Sequence, residues 1–523
     1  MNGKLRLVLV IALGIVLLAS SIGVTRGSFI NLESSVGSAF QAWASTPWVQ
    51  TTQGDFEAGV LNNVDTSSSP GDVKLATTSN WYNTSWAYRR AITIDHTKVS
   101  DVTDPSTTYA NFPLLVYATG LSNIKANGAD IRFTLSDGTT EIPREIESYS
   151  GGTLWVWVKT TLTKDSSDST DDVIYMYYGN LAASEPPEDS TYGAKNVWDS
   201  NHKGVWHLNE TSGTHYDSTS NDNDGTPNGG VTQDATGPMN GADGFDGSDD
   251  YVNCGQDASL NITAASITIE GWINMDADPG DGNWYDCISK PTYNFYLGGT
   301  ATDVTTLCAW FTIGGLNKDI WGKGDIDINP GNDTYCVVTY DGTDVKAYVN
   351  GQLDYTELMS GSIDDSATDD LIIGAFSSPA GYFDGIIDEV RISNIARSAD
   401  WIKTCYNNQS SPSTFHSVGS EQQKTYVSPG TIASQVLDNG VAGARWDALF
   451  WDETRPSNTD IAFEVRASDT PFVKGDAGPS WTSVGGTFPV TSGRYMQWRA
   501  ILTTSDPSQT PTLHEVRVYY SDY

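Results

Sequence analysis

Past its first 28 residues, the chain alternates apolar and polar positions over short runs, the period of a strand with one covered face. The runs Ala91–Asp95, Phe112–Tyr117, Asp130–Leu135, Thr153–Lys159 and Val173–Tyr178 predict five strands. In the fourth, Leu154, Val156 and Val158 face one way and Trp155 and Trp157 the other, which predicts a strand covered on both sides. Asp137-Gly138 and Gly151-Gly152 supply turns. A second series follows: Val205–Leu208, Ile267–Ile273, Val345–Val349 ending in Asn350-Gly351, and Phe383–Ile392. A third comprises Ile461–Arg466, Tyr495–Leu502 and His514–Tyr520. Helical spacing of apolar residues is absent from all three series, so the predicted fold class is all-β: tandem β-sandwiches around a central jelly roll, preceded by an N-terminal hydrophobic helix.

The chain has 523 residues, too many for one core. Composition shifts divide it into a leader or anchor at 1–28, a Thr/Ser/Gly/Asp-rich spacer at 29–80, and a sandwich at 81–200. A jelly roll follows at 201–405, then a linker around Pro412 at 406–424 and a last sandwich at 425–523. Lys4 and Arg6 precede an apolar run from Leu7 to Val24, the pattern of an export signal and also long enough to span a bilayer. The expected location is therefore extracellular or on the cell surface, with membrane contact only through this segment. Five N-x-S/T triplets, at Asn83, Asn209, Asn261, Asn332 and Asn408, are candidate glycan acceptors outside the cytoplasm.

The net charge of -36, from 65 acidic and 29 basic residues, repels phosphates and anionic membranes, so nucleic acid is not an expected partner. Five cysteines, Cys254, Cys287, Cys308, Cys336 and Cys405, contain no CxxC pair; they fit either two disulfides and a free thiol or five buried thiols. His202, His207 and His215 lie close in sequence, but no acidic or cysteine spacing joins them, which argues against zinc. Asp130 and Arg132 share a strand face and predict an ion pair at a sheet edge. In the last sandwich Arg466, Arg494, Arg499 and Arg517 predict strand-edge ion pairs.

Three ordered sets of residues carry resemblances. Trp86-x-Tyr88-Arg89, Phe112–Val116, Gly128–Phe133, Trp155–Val158 and Tyr177–Asn180 resemble the domain-of-unknown-function family 2341, which implies a sandwich of surface proteins without assigned chemistry. The polar turn Asp217–Thr226, the loop Phe245–Val252, and the strands Ile267–Ile273 and Phe383–Ile392 resemble the laminin-G-like superfamily of concanavalin A-like fold. That resemblance implies binding of glycans or of cell-surface proteins, and calcium held by Asp217 and Asp388 with Asn223 as a further ligand. Gly23–Phe29 and Ser34–Ala42 resemble the start of camelysin and biofilm-fibre proteins, which implies, as an alternative, a structural subunit of an extracellular sheath or fibre.

Concanavalin-like glycosidases carry a Glu-x-Asp-x-x-Glu strand that sets two carboxylates about 5 Å apart. This chain has no such run. Asp388 and Glu389 are adjacent and point to opposite faces if extended, and Glu141, Glu145 and Glu147 lack the pattern. The expectation is a binding protein, not an enzyme. Because sugar C–H faces stack on rings, Trp284, Tyr285, Trp310 and Trp321 are the candidate ligand platform.

Overall fold

The computed structural model describes residues 47–521 except 79, 102–107, 164–169, 264–265, 300–303, 377–380, 486–488 and 490. The leader, residues 29–46 of the spacer and the camelysin-like start lie outside the described residues. Among the described residues no helix is long and apolar enough to cross a membrane. The chain forms two compact units, one of residues 85–422 and one that joins residues up to 84 to residues 423–523.

The 85–422 unit holds two sandwiches. In the first, the strand Thr153–Leu162 runs between Tyr109–Ala118 and Arg144–Ser150. A second sheet is ordered His416–Val418, Tyr88–Ile94, Asp172–Tyr178, Arg132–Thr134, Glu141–Ile142. As the alternation required, Leu154, Val156 and Val158 are fully buried, and Trp157 on the opposite face is buried as well. Arg132 pairs with Glu141 at 3.4 Å and donates to the carbonyls of Ala129, Ile131 and Ser184, whereas Asp130 accepts from the Lys125 and Gly179 N–H groups. The expected Asp130–Arg132 pair is thus replaced by backbone capping.

The jelly roll stacks an eight-stranded sheet, centred on Asp384–Ser393 and Ile267–Met275, on a seven-stranded sheet through Trp284–Lys290, Tyr293–Gly299 and Thr305–Ile313. Ile269, Ile273, Phe295, Leu297, Leu307, Phe311 and Val338 fill the space between them. The core of the first sandwich continues onto the outer face of the eight-stranded sheet through Trp272, Tyr335, Val337 and Tyr348, and among the described residues takes no side chain from the seven-stranded sheet. One jelly-roll face is therefore covered and the other lies away from this junction. All five cysteines are buried free thiols, and Cys287 and Cys336 sit in the jelly-roll core.

The expected linker is structured. The helix Ala399–Ser410, capped by the Ser398 hydroxyl, buries Trp401, Ile402 and Cys405 in the first sandwich's core. Asn408 exchanges two hydrogen bonds with the Leu115 backbone and is 1% exposed, so this triplet is no glycan acceptor. The strand His416–Val418 then pairs with Tyr88–Ile94. Serine and proline at 411–413 mark the start of a second short helix, Pro412–Phe415, and not a tether.

The second unit corrects the spacer. Trp48–Gln50 and Val73–Leu75 pair with Thr512–Ser521, and Val60–Asn62 pairs with Gly430–Ala433. Phe56, Val73 and Leu75 are buried in the core of the last sandwich. Few large apolar residues made this segment read as spacer, yet Phe56 enters that core from the helix Gln53–Glu57 and Val73 and Leu75 from a strand held between Val64–Asp65 and Thr512–Ser521. Arg494 pairs with Asp438, Arg499 with Glu464 and Arg517 with Glu515, but Arg499 and Arg517 stand on interior strands and not at a sheet edge as expected. Arg466 is buried, bonded to Gln497 and stacked on Trp481.

Candidate functional site

Three adjacent strands of the seven-stranded sheet build the site. Register places Trp284 beside Gly298 and Thr306, Asp286 beside Tyr296 and Cys308, and Ser289 beside Asn294 and Trp310. A bulge between Asp286 and Ile288 shifts the alternation, so Cys287 and Ile288 both enter the core while Asp286 and Ser289 lie on the outer rows. Trp321 comes from the turn after Leu316–Asp319 and lies 6.2 Å from Trp284 and 5.7 Å from Tyr296. Trp310 stands 5.7 Å from Tyr296 and 5.3 Å from Phe376. A side chain at Gly298 would meet the Cys308 sulfur at 2.9 Å and the Trp321 ring at 3.2 Å, so glycine lets that ring approach the sheet.

Polar groups lie beneath and beside the rings. Asp286 accepts from Trp284 Nε1 at 2.8 Å and from Asn294 Nδ2 at 3.0 Å, and the Tyr296 hydroxyl donates to Asp319 at 2.7 Å. Asp286 has no exposed surface, and burial outweighs its two hydrogen bonds, pushing its carboxyl up to about 7. Trp310 Nε1 and Ser289 Oγ are buried and make no hydrogen bond. Trp284 is 44% exposed, an unusual state for the largest apolar side chain.

Of the four nominated aromatics, Trp284, Trp310 and Trp321 share one face through Tyr296. Tyr285 does not. One residue from Trp284 on an extended strand, it turns inward and packs 5.9 Å from Phe383 against the core. Tyr296, Asp286 and Asn294 were missed, although the alternation in Tyr293–Gly299 already put Asn294 and Tyr296 on one face.

The nominated calcium ligands are placed apart. Asp217 Oδ1 accepts from the Val205 and Thr219 N–H groups, and Oδ2 from the Thr219 hydroxyl and the Asn223 N–H. Each oxygen thus has two donors aimed at it. The Asn223 amide is used by Lys203 O and Ser259. These residues fit a hydrogen-bonded loop and leave no free oxygen for a cation that wants six to eight. Asp388 lies elsewhere, at the junction of the sandwiches, where it accepts from the Met239 N–H through Oδ2. Among the described residues, three groups bring ligand atoms within 4.8 Å of one another: Asp95, His96 and Asp171; Glu147, His207 and Glu389; and Asp246, Asp249 and Asp250.

The expectation that Asp388 and Glu389 face opposite ways also changes. Glu389 has φ of 52° and forms a bulge opposite Gly271, so the strand is not extended there. Both carboxyls, nearly devoid of exposed surface, come close enough to Glu147 and His207 to perturb their ionisation or be perturbed by it.

Residues 246–403 match the concanavalin A-like lectin/glucanases superfamily. Residues 127–223 match a domain of unknown function, family 2341. The second match runs past residue 200 into the jelly roll's first loops, in keeping with the single unit that both sandwiches form. No curated protein matches the chain. Among solved structures, domain 4 of AbnA, an extracellular arabinanase from Geobacillus stearothermophilus, in complex with arabinotriose, is 18% identical. It aligns over 39% of this chain and 97% of that one, with a TM-score of 0.32. The binding domain of Paraclostridial Mosquitocidal Protein 1 is 14% identical over 49% and 61%, with a TM-score of 0.33. The binding domain of botulinum neurotoxin serotype G is 12% identical over 60% and 81%, also at 0.33. At these scores nothing about function is drawn from them.

Proposed function

We propose that the chain is an exported carbohydrate-binding protein that holds its ligand on the outer face of the seven-stranded sheet, without cleaving it. The observation that carries this is the half-exposed Trp284, grouped with Trp321, Tyr296 and Trp310 around buried hydrogen-bonding groups. Apolar sugar faces stack on such rings, and hydroxyls find the exposed Asp319 carboxylate as a partner. The lectin/glucanase superfamily match supports the same reading. The basic and apolar start of the sequence supports export, and surface attachment through sugar recognition would make the chain an adhesin.

A glycan panel followed by calorimetry tests it. Trp284→Ala is expected to weaken binding about tenfold or more, a loss of about 1.4 kcal/mol, with the protein still folded although Asp286 loses one of its two donors. Equal affinity in wild type and variant, or release of reducing ends from the bound glycan, would remove the proposal.

A further inference from the structure

At the junction of the two sandwiches, four carboxylates surround one histidine and one arginine. Glu145 and Glu147 come from the Arg144–Ser150 strand of the first sandwich; His207, Asp388, Glu389 and Arg391 come from the jelly roll. Each carboxylate is fixed by a donor. Trp198 Nε1 donates to Glu145 Oε2 at 2.7 Å and the Ser218 hydroxyl to Glu145 Oε1 at 2.6 Å. Trp157 Nε1 donates to Glu147 Oε2 at 2.9 Å, Met239 N to Asp388 Oδ2 at 3.2 Å, and Arg391 to Glu389 Oε2. The opposite atoms are left over: Glu147 Oε1, Asp388 Oδ1 and His207 Nε2 are buried and make no hydrogen bond. Asp388 has no exposed surface and His207 only 7%.

His207 is held as a ligand histidine is held. Its Nδ1 lies 2.6 Å from Glu389 Oε1, which leaves Nε2 as the free lone pair, the arrangement by which a carboxylate orients a metal-bound imidazole. Nε2 stands 3.4 Å from Glu145 Oε2, long for a hydrogen bond. Two ligand atoms bound at 2.0–2.1 Å to a tetrahedral ion are separated by about 3.4 Å. Four carboxylates here face one permanent cation, Arg391, which pairs with Glu389 and Glu270. A buried excess of carboxylate is costly without a counter-charge.

We propose that this junction binds one divalent first-row transition-metal ion, of zinc or manganese type, through His207 Nε2 and Glu147 Oε1, with the Glu145 carboxylate as a third ligand. An imidazole among carboxylates selects that class over calcium, which takes oxygen ligands alone. The ion ties the first sandwich to the jelly roll, because its ligands come from both. The histidine spacing missed it because the acidic ligands lie some sixty residues earlier and in the neighbouring sandwich.

The test uses the full chain, stripped with chelator, reloaded with zinc or manganese chloride and desalted. Retained metal is measured by mass spectrometry and the unfolding temperature by calorimetry. One retained equivalent and a raised unfolding temperature are expected, both lost in Glu147→Gln and both kept in His96→Gln, which alters the exposed group at Asp95, His96 and Asp171. Should Glu147→Gln fail to fold, Glu145→Gln gives the same reading. No retained equivalent, retention of calcium alone, or equal retention in the folded junction variant would overturn the proposal. So would a Glu147→Gln protein more stable than metal-free wild type and indifferent to metal, since protons would then be the counter-charge.

Discussion

A buried carboxyl beneath a half-exposed tryptophan makes the candidate platform responsive to pH. Asp286 folded carries a proton up to about 7, whereas an unfolded aspartate releases it near the ordinary value of about 3.9. A carboxyl raised in this way contributes stability that is fully present below the unfolded value and is lost as pH climbs through about 7. The Trp284 indole N–H donates to that carboxyl, so its nitrogen-15 resonance is expected to titrate with a midpoint near pH 7. Asp286→Asn should abolish the titration; a midpoint near 4, or none in wild type, would contradict the burial argument. The tryptophan was legible from the sequence as a large ring in a strand-rich region. Alternation puts Asp286 on the Trp284 face, but its burial was not legible, because it depends on neighbours such as Asn294 from the adjoining strand.

Alternation was a sound guide along each strand and failed where a strand bulged. It placed five strands of the first sandwich and the closing strand Asp384–Ser393, and missed Arg144–Ser150. It put Asp388 and Glu389 on opposite faces, because a left-handed Glu389 has no signal in sequence: the conformation is uncommon outside glycine and is imposed by the sheet around it. Within the platform, Gly298 is the element-level control. Valine there would push into the Cys308 sulfur and the Trp321 ring and lift that ring from the sheet. Gly298→Val is expected to cost about 1–3 kcal/mol in stability, and to weaken glycan binding beyond what that loss explains, since the variant remains folded at 25 °C. Calorimetric unfolding and binding on one preparation separate the two effects. Unchanged affinity would show that Trp321 is not part of the ligand surface.

At the scale of the whole chain, the legible part was the order of sandwich, jelly roll and sandwich, since each is a run of local patterns. The illegible part was which ends join, because strand pairing across more than 400 residues leaves no local trace. Trp498 Nε1 donates to Gln50 Oε1 at 2.8 Å with both residues buried, and Leu513 pairs with Val73. The last sandwich is therefore incomplete without residues 47–84. Phe56, Val73 and Leu75 each contribute roughly 1.5–3 kcal/mol by burial, together on the order of the 5–15 kcal/mol that holds an ordinary domain. A fragment of residues 423–523 is expected to show no cooperative unfolding transition. Residues 85–422, whose sheet is closed by His416–Val418 pairing with Tyr88–Ile94, should unfold in one transition with the junction intact. Near-ultraviolet circular dichroism during thermal melting reads both fragments. A folded 423–523 fragment would mean that the early strands decorate the last sandwich and do not complete it.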